Sequence, residues 1–237
     1  RAARALADLA LTVGDGPYLI FAGPGNNGGD ALEAACLLHE AHRAVEVVLL
    51  AVPESLPGDA AISWQRCRAL GLPVARTVPE HIEAPIVIDG LFGIGLTRPL
   101  TGSFADAVRC MNMSRAQIIA VDVPSGIDAD TGALVGGLEG CAVRATTTLS
   151  FIADKPGLHT GDGIDCAGRI IVDAIGIEAE YLARHAAGAG RLNAPAQFAQ
   201  VLRPRALNTH KGSFGNVAVV GGNWGMTGAA HLAARAA

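Results

Sequence analysis

Aromatic side chains are scarce in this sequence, at 4% of 237 residues, and charged ones make up only 17%. With half the residues hydrophobic, such low charge excludes an intrinsically disordered chain and supplies a substantial core. That core must be built from Ala, Val, Ile, Leu and Gly, a mixture suited to parallel strands buried on both faces. The formal net charge of −4 offers no basic excess, so neither nucleic acid nor an anionic membrane is an expected partner. No apolar run reaches the ~18 residues of a membrane-spanning helix. The five cysteines (Cys36, Cys67, Cys110, Cys141 and Cys166) are odd in number, scattered, and without a CxxC pair. They read as small reduced core residues of a cytoplasmic protein, not as a disulfide or zinc framework. Among the seven histidines there is no HxxxH or HExxH spacing, and no serine stands in GxSxG. Zinc-hydrolase and acyl-transfer chemistries therefore have no motif to rest on. Lysine is nearly absent too: Lys155 is the only one in the first 210 residues.

What is present alternates. After a helical stretch (RAARALADLALTV), the apolar Tyr18–Ala22 reads as a strand that runs into the glycine-rich GPGNNGGD. A helix over about Ala31–His42 and a strand over Val45–Ala51 complete a βαβ unit, whose crossover is expected to be right-handed. Helices are then predicted over Asp59–Leu70 and Phe104–Met111. The short apolar segment Pro73–Val78 and strands Ile86–Ile88 and Gln117–Val121 lie between and after them, the last two ending at Asp89 and Asp122. Ala145–Ala153 and Gly168–Ile175 are strand-like, joined by a glycine-rich loop that holds Lys155. This alternation predicts an α/β fold, a Rossmann-like three-layer sandwich around a mainly parallel sheet. Residues 178–205 read as a helix and a linker. At HKGSFG the pattern restarts with a strand at Val217–Val220, a second glycine loop (Gly221–Gly225) beside Lys211, and another helix. The chain opens on Arg1 and closes on Ala237 inside helical patterns, as expected of a sequence cut at both ends with an N-terminal segment missing.

Three motifs carry chemistry. In GPGNNGGD the glycines permit tight turns and close ligand approach, and the next helix offers free N–H groups to an anion. Asn26, Asn27 and Asp30 add carboxamides and a carboxylate, although Asp30 equally suits a helix cap. The loop is not the dinucleotide fingerprint. Its third glycine falls in a polar run, and the acidic residue expected ~20 positions on has only Glu46, which begins its strand instead of ending it. The second motif, VIDGLFGIGLTRPLTG, places Asp89 at a strand end and Arg98 after three glycines. This suits a cation or sugar hydroxyls and a phosphate, or for Arg98 merely a solvated turn. The third, AVDVPSGIDADTG, embeds Asp122 in an apolar strand, where an ionised carboxylate is costly unless paired. Ser125 follows in the turn, while Asp128 and Asp130 read as ordinary turn residues. Each motif follows a parallel strand, so all three open on one rim of the sheet, where ligands bind in such folds. Lys155 serves either a phosphate or a carboxylate on that rim, or is a surface lysine.

GPGNNGGD, DGLFGIGL, VDVPSGIDADTG and FIADKPGLHTGDG, in this order over residues ~15 to ~175, resemble the NAD(P)H-hydrate epimerase family, and in particular the epimerase part of its bacterial bifunctional members. HKGSFGNVAVVGGNWGMTGAAHLAARAA resembles the opening of the ribokinase-like, ADP-dependent dehydratase domain joined to it there. The resemblance implies an epimerase domain at residues 1–205 and a truncated dehydratase start at 206–237, too short to dehydrate. It implies interconversion of the R and S epimers of hydrated NAD(P)H, a small-molecule nucleotide, as cofactor repair. It assigns Asn26, Asn27, Gly28, Gly29, Asp30, Gly93, Ile94, Gly95, Leu96, Thr97, Arg98, Pro99 and Asp122 to substrate, with Asp122 also catalytic. Asn27, Asp89 and Ser125 are assigned to one potassium ion, and oxygen ligands of this kind suit a hard, weakly charged cation. Ala31, where the family often has glycine, is expected to narrow the pocket mouth. A homodimer is expected from the resemblance and from the apolar N-terminal helix, whose pairing face is otherwise unexplained. The alternative is a non-catalytic nucleotide-binding or scaffold module of the same fold. Such a module can dispense with rim carboxylates, and here Asp30, Asp89 and Asp122 are all present.

Overall fold

The apolar pentapeptide Tyr18–Ala22 (β1) is buried along its whole length, as a central strand covered on both faces must be. Around it the computed structural model, which describes residues 1–185, 190, 192–200, 204 and 206–237, builds a seven-stranded sheet. The other strands are β2 (Val45–Leu49), β3 (Val74–Ala75), β4 (Ile86–Gly90), β5 (Gln117–Val121), β6 (Thr147–Phe151) and β7 (Arg169–Asp173). Their order is β3-β2-β1-β4-β5-β6-β7, and every pairing is parallel. The α/β class and Rossmann-like layering read from the sequence are what the molecule has.

Alternate residues of each strand enter opposite layers. Ile20 and Ala22 pack with Leu6 of α1 (Ala2–Val13), Leu32 of α2 (Asn26–Glu40) and Cys67 of α3 (Gly58–Ala69). Leu19 and Phe21 meet Val108 and Met111 of α4 (Ser103–Met113) on the other side. In α1, Ala3, Leu6, Ala7 and Ala10 recur at helical spacing, and all are buried in the first of these cores. Full burial of a leucine such as Leu6 is worth roughly 1.5–3 kcal/mol. The face that made α1 a pairing surface in the sequence reading is therefore spent inside its own unit, and that argument for a dimer falls. The five cysteines are free, and Cys36 and Cys67 meet in the core between α2 and α3.

The boundaries differ from expectation most at α2, which begins at Asn26 and not near Ala31. Glycine is a poor helix former, so propensity places GG in the preceding loop. Packing decides otherwise. A Cβ at Gly28 would lie 2.0 Å from the Gly23 carbonyl oxygen, and one at Gly29 would lie 2.8 Å from Ala60 Cβ of α3. The missing side chains let the first turn of α2 seat against its neighbours, and Asn26–Asp30 become helical. Ala31 is likewise displaced from its expected role. It is fully buried, its methyl faces Gly90 of β4, and it does not border the pocket mouth.

Beyond the sheet come α5 (Gly163–Ala167) and α6 (Ala179–His185). The chain divides into two compact units, Arg1–Ala189 and Gly190–Ala237. The second, described by itself, has α7 (Pro195–Phe198), a 3₁₀ turn at Lys211–Phe214 and α8 (Gly228–Ala236). The strand expected at Val217–Val220 is not formed: among the described residues no strand pairs with this segment, and Val220 is 96% exposed. Parts of the helix and linker expected over 178–205, at 186–189, 191, 201–203 and 205, lie outside the described residues, as does the side chain of Lys211. Among the described residues no helix is long and apolar enough to cross a membrane.

Candidate functional site

From β1 the chain winds outward through β2 and β3, then returns to the other side of β1 as β4. Between β1 and β4 the strand order reverses, which opens a crevice at their carboxyl ends. The loops there touch backbone to backbone. Gly23 N–H donates to the Gly90 carbonyl at 3.0 Å, and a Cβ on Gly23 would lie 1.8 Å from the Leu91 carbonyl oxygen. The three sequence motifs follow β1, β4 and β5, so they share this rim as expected.

Asp89, fully buried at the end of β4, is held by three donors. Its Oδ1 accepts from Ser125 Oγ at 2.6 Å and from Leu91 N–H at 3.2 Å, and its Oδ2 accepts from Ser125 N–H at 2.9 Å. Burial pushes its carboxyl up to about 6, with the Ser125 and Leu91 hydrogen bonds opposing the rise. Ser125 Oγ also accepts from Phe92 N–H at 2.9 Å and lies 3.1 Å from the Phe92 carbonyl oxygen. A hydroxyl has one proton, and the short contact commits it to Asp89. The Phe92 carbonyl and Ser125 Oγ then face each other with no proton between them, an arrangement that a cation relieves. The Asn27 carboxamide adjoins this cluster. Its Nδ2 donates to the Val121 carbonyl at 2.7 Å, and its amide atoms lie within 2.8 Å of where a Gly93 Cβ would stand. Carboxylate, hydroxyl, carboxamide and carbonyl oxygens make a donor set that fits potassium. Among the described residues no group of three or more His, Cys, Asp or Glu side chains is placed to hold a metal ion.

One strand along, Asp122 closes β5 in a left-handed conformation, φ +69°. Val123 N–H donates back to the Val121 carbonyl at 2.8 Å, making a three-residue turn centred on Asp122. Ile152 repeats the device after β6, with φ +70° and an Ala153 N–H to Phe151 carbonyl bond of 2.8 Å. Asp122, Ile152 and Ile175 are three of the four non-glycine residues with positive φ among those described, and all three line one cavity of about 410 Å³. Each such residue costs on the order of 1–3 kcal/mol, and strain of this kind gathers at functional sites. Lys155 pairs with Asp122, Nζ to Oδ1 at 2.7 Å, so the carboxylate on the rim claims the lysine. Asp30 borders the same cavity from α2, and burial together with the Asp122 charge pushes its carboxyl up to about 6.

The remaining expected residues divide. Ile94 lines the Asp122 cavity, while Gly95, Leu96, Thr97, Arg98 and Pro99 line a neighbouring one of about 310 Å³. Asn26 and Gly29 border a third, of about 390 Å³, together with Asp30. Gly28 is buried against Gly23, and Gly93, half-buried, lies close against the Asn27 amide, so these two shape the loops by lacking side chains. Asp128 is the turn residue expected, since its Oδ1 accepts from the backbone and hydroxyl of Thr131. Sequence reasoning missed Phe151, Ile152 and Ile175 as cavity walls. Nothing local marks an isoleucine for left-handed backbone.

The family profile described as YjeF-related protein N-terminus matches residues 1–157. NAD(P)H-hydrate epimerase of Bordetella pertussis is 41% identical over 198 residues, 83% of this chain and 86% of its own length. The protein of that name from Limosilactobacillus fermentum is 38% identical over 174 residues, 73% of this chain and 82% of its own length. The bifunctional NAD(P)H-hydrate repair enzyme Nnr of Coxiella burnetii is 36% identical over 220 residues, 92% of this chain but 44% of its own length. The crystal structure of yeast ynu0 superposes with a TM-score of 0.55 at 21% identity, covering 76% of this chain and 77% of that one, and shares the fold.

Proposed function

This chain belongs to the YjeF-related N-terminal family, and on that premise we propose that it is an NAD(P)H-hydrate epimerase, an isomerase that interconverts the R and S epimers of hydrated NAD(P)H in nicotinamide-cofactor repair. The observation that carries the chemistry is the pair of carboxylates, Asp30 and Asp122, on one cavity of about 410 Å³ on the carboxyl-end rim of the sheet. A cavity of this size holds part of a nucleotide. The proton on C6 of the hydrated ring is not acidic, so inversion runs through loss and return of water. Asp30, whose raised carboxyl retains a proton closer to neutrality, protonates the C6 hydroxyl, which leaves as water. The ring-nitrogen lone pair closes onto C6, giving a flat cation beside the Asp122 carboxylate. Water adds to the opposite face, its proton passes to Asp122, and solvent carries it back to Asp30. Atoms and electrons balance with no outside oxidant or reductant.

Asn27, Asp89 and Ser125 would hold potassium at the neighbouring rim, where the ion supplies a fixed positive charge that orders the loops after β4 and β5. Anomalous density in rubidium-grown crystals tests that assignment, and none at these oxygens would refute it. Residues 206–237 begin a dehydratase domain, a reading supported by the alignment over 220 residues with the bifunctional relative. The function is tested by supplying each separated epimer and following its conversion by chromatography. Equilibration from both sides is expected, and an unchanged epimer ratio would overturn the reading.

A further inference from the structure

Lys155 belongs to none of the roles above. Its ammonium has three N–H donors, and the protein takes them all. Nζ lies 2.7 Å from Asp122 Oδ1, 2.7 Å from Ser150 Oγ, 3.1 Å from the Phe151 carbonyl and 3.3 Å from the Ala153 carbonyl. The side chain is 16% exposed. Nothing is left over for a phosphate, so that reading of the sequence lapses. The cage is built by the turn after β6. Left-handed Ile152 brings the carbonyls on either side of it to the same ammonium, and Ser150, fully buried, donates its own proton to Ala153 at 3.1 Å. Such a turn is strained, and it persists because the lysine gathers its carbonyls.

The other end of the contact is equally fixed. Asp122 Oδ1 takes a second hydrogen bond from Phe151 N–H at 3.2 Å, and Asp122 N–H donates to the Leu149 carbonyl at 2.8 Å. Both backbone and carboxylate of Asp122 are thus tied to β6 and its turn. Oδ2 accepts no hydrogen bond from the described residues. The other acidic residues lining this cavity with Asp122 are Asp30 from α2 and Asp154 beside Lys155. Lys155 is the one cation among the charged residues lining this cavity.

Resting on the epimerase reading, we infer that Lys155 is the positioning residue of the reaction: it fixes Oδ1 of Asp122 in a charge-assisted contact, so that Oδ2 alone works on the substrate. It touches no reacting atom and acts through Asp122. A carboxylate freed to rotate loses its alignment with C6, and misplacement by about 1 Å costs on the order of a hundredfold in rate. The binding surfaces at Arg98 and the glycine loops are untouched, so the loss falls on kcat.

The test uses the full chain and the separated epimers. Lys155→Met is expected to lower kcat about a hundredfold while KM stays within about twofold of wild type. Lys155→Ala should regain activity with ethylammonium and not with ethanol, because the charge is what is missing and both molecules fill the same space. Should Lys155→Met fail to fold, Lys155→Gln carries the same kcat-against-KM reading. Wild-type kcat in these variants, a loss confined to KM, or equal rescue by ethanol overturns the positioning role alone. A wild-type chain inert toward both epimers overturns it together with the functional reading.

Discussion

Asp122 adopts a left-handed backbone that asparagine and aspartate tolerate better than other side chains, so Asp122→Asn changes its charge without a new backbone penalty. Lys155 keeps an amide oxygen as acceptor in that variant, alongside Ser150 and two carbonyls, and the chain should stay folded by circular dichroism. Epimerisation is expected to fall by about 10²- to 10⁴-fold in kcat, the share usual for a positioned acid or base. A variant within a few fold of wild type would remove Asp122 from the chemistry. Asp30 makes the complementary prediction through pH. Burial and the Asp122 charge raise its carboxyl to about 6, and the protonated form is the one that acts. The rate should therefore fall as pH rises through about 6, and Asp30→Asn, which cannot titrate, should be slow at every pH without that limb. In Asp122→Asn the limb should move to lower pH, because one of the causes raising Asp30 is gone. A limb that survives Asp30→Asn would assign the proton elsewhere.

Among the elements, those whose local pattern and packing agree are legible without coordinates. β1 and β5 were expected over Tyr18–Ala22 and Gln117–Val121 and are found there, because a continuous apolar run admits little else. Carboxylates closing such runs, Asp89 and Asp122, could likewise be placed on the rim. What stays illegible depends on which strands become neighbours. The Lys155 contact exists because β6 lies beside β5, and the left-handed Ile152 and Ile175 contradict the preference of their own residue type. The start of α2 was missed for a related reason, since glycine disfavours a helix while the space left by Gly23 and Ala60 admits nothing larger. That account is testable. Gly28→Ala should destabilise the protein by roughly 1–3 kcal/mol in urea unfolding, the usual cost of forcing an extra methyl into packed structure. Gly25→Ala, with nothing within 4 Å of the added Cβ, should cost less than about 1 kcal/mol. Equal midpoints for the two variants would mean that the glycines serve the ligand and not the packing of the helix.

At the scale of the whole chain the two units differ in what they bury. Every buried residue among those described lies in Arg1–Ala189, whereas in Gly190–Ala237 Val217, Val220, Trp224 and Leu232 are 76%, 96%, 99% and 69% exposed. A unit that buries no apolar face has no core to hold loops at fixed positions. Gripping nucleotide phosphates takes a helix N-terminus together with loops from several strands. The second unit offers α8 and the Gly221–Gly225 loop, but no strand among the described residues. The chain aligns with 44% of the length of its bifunctional relative from Coxiella burnetii. By contrast, all seven strands of the described residues and the residues lining the Asp122 cavity lie in the first unit. Two outcomes are expected. A chain shortened to residues 1–189 should epimerise the hydrate with the kcat/KM of the longer one. The longer one, given the hydrate with ADP or ATP, should not regenerate the absorbance of NAD(P)H. Activity lost on shortening would put part of the epimerase site in the second unit, and nucleotide-dependent regeneration would show that Gly190–Ala237 already suffices for dehydration.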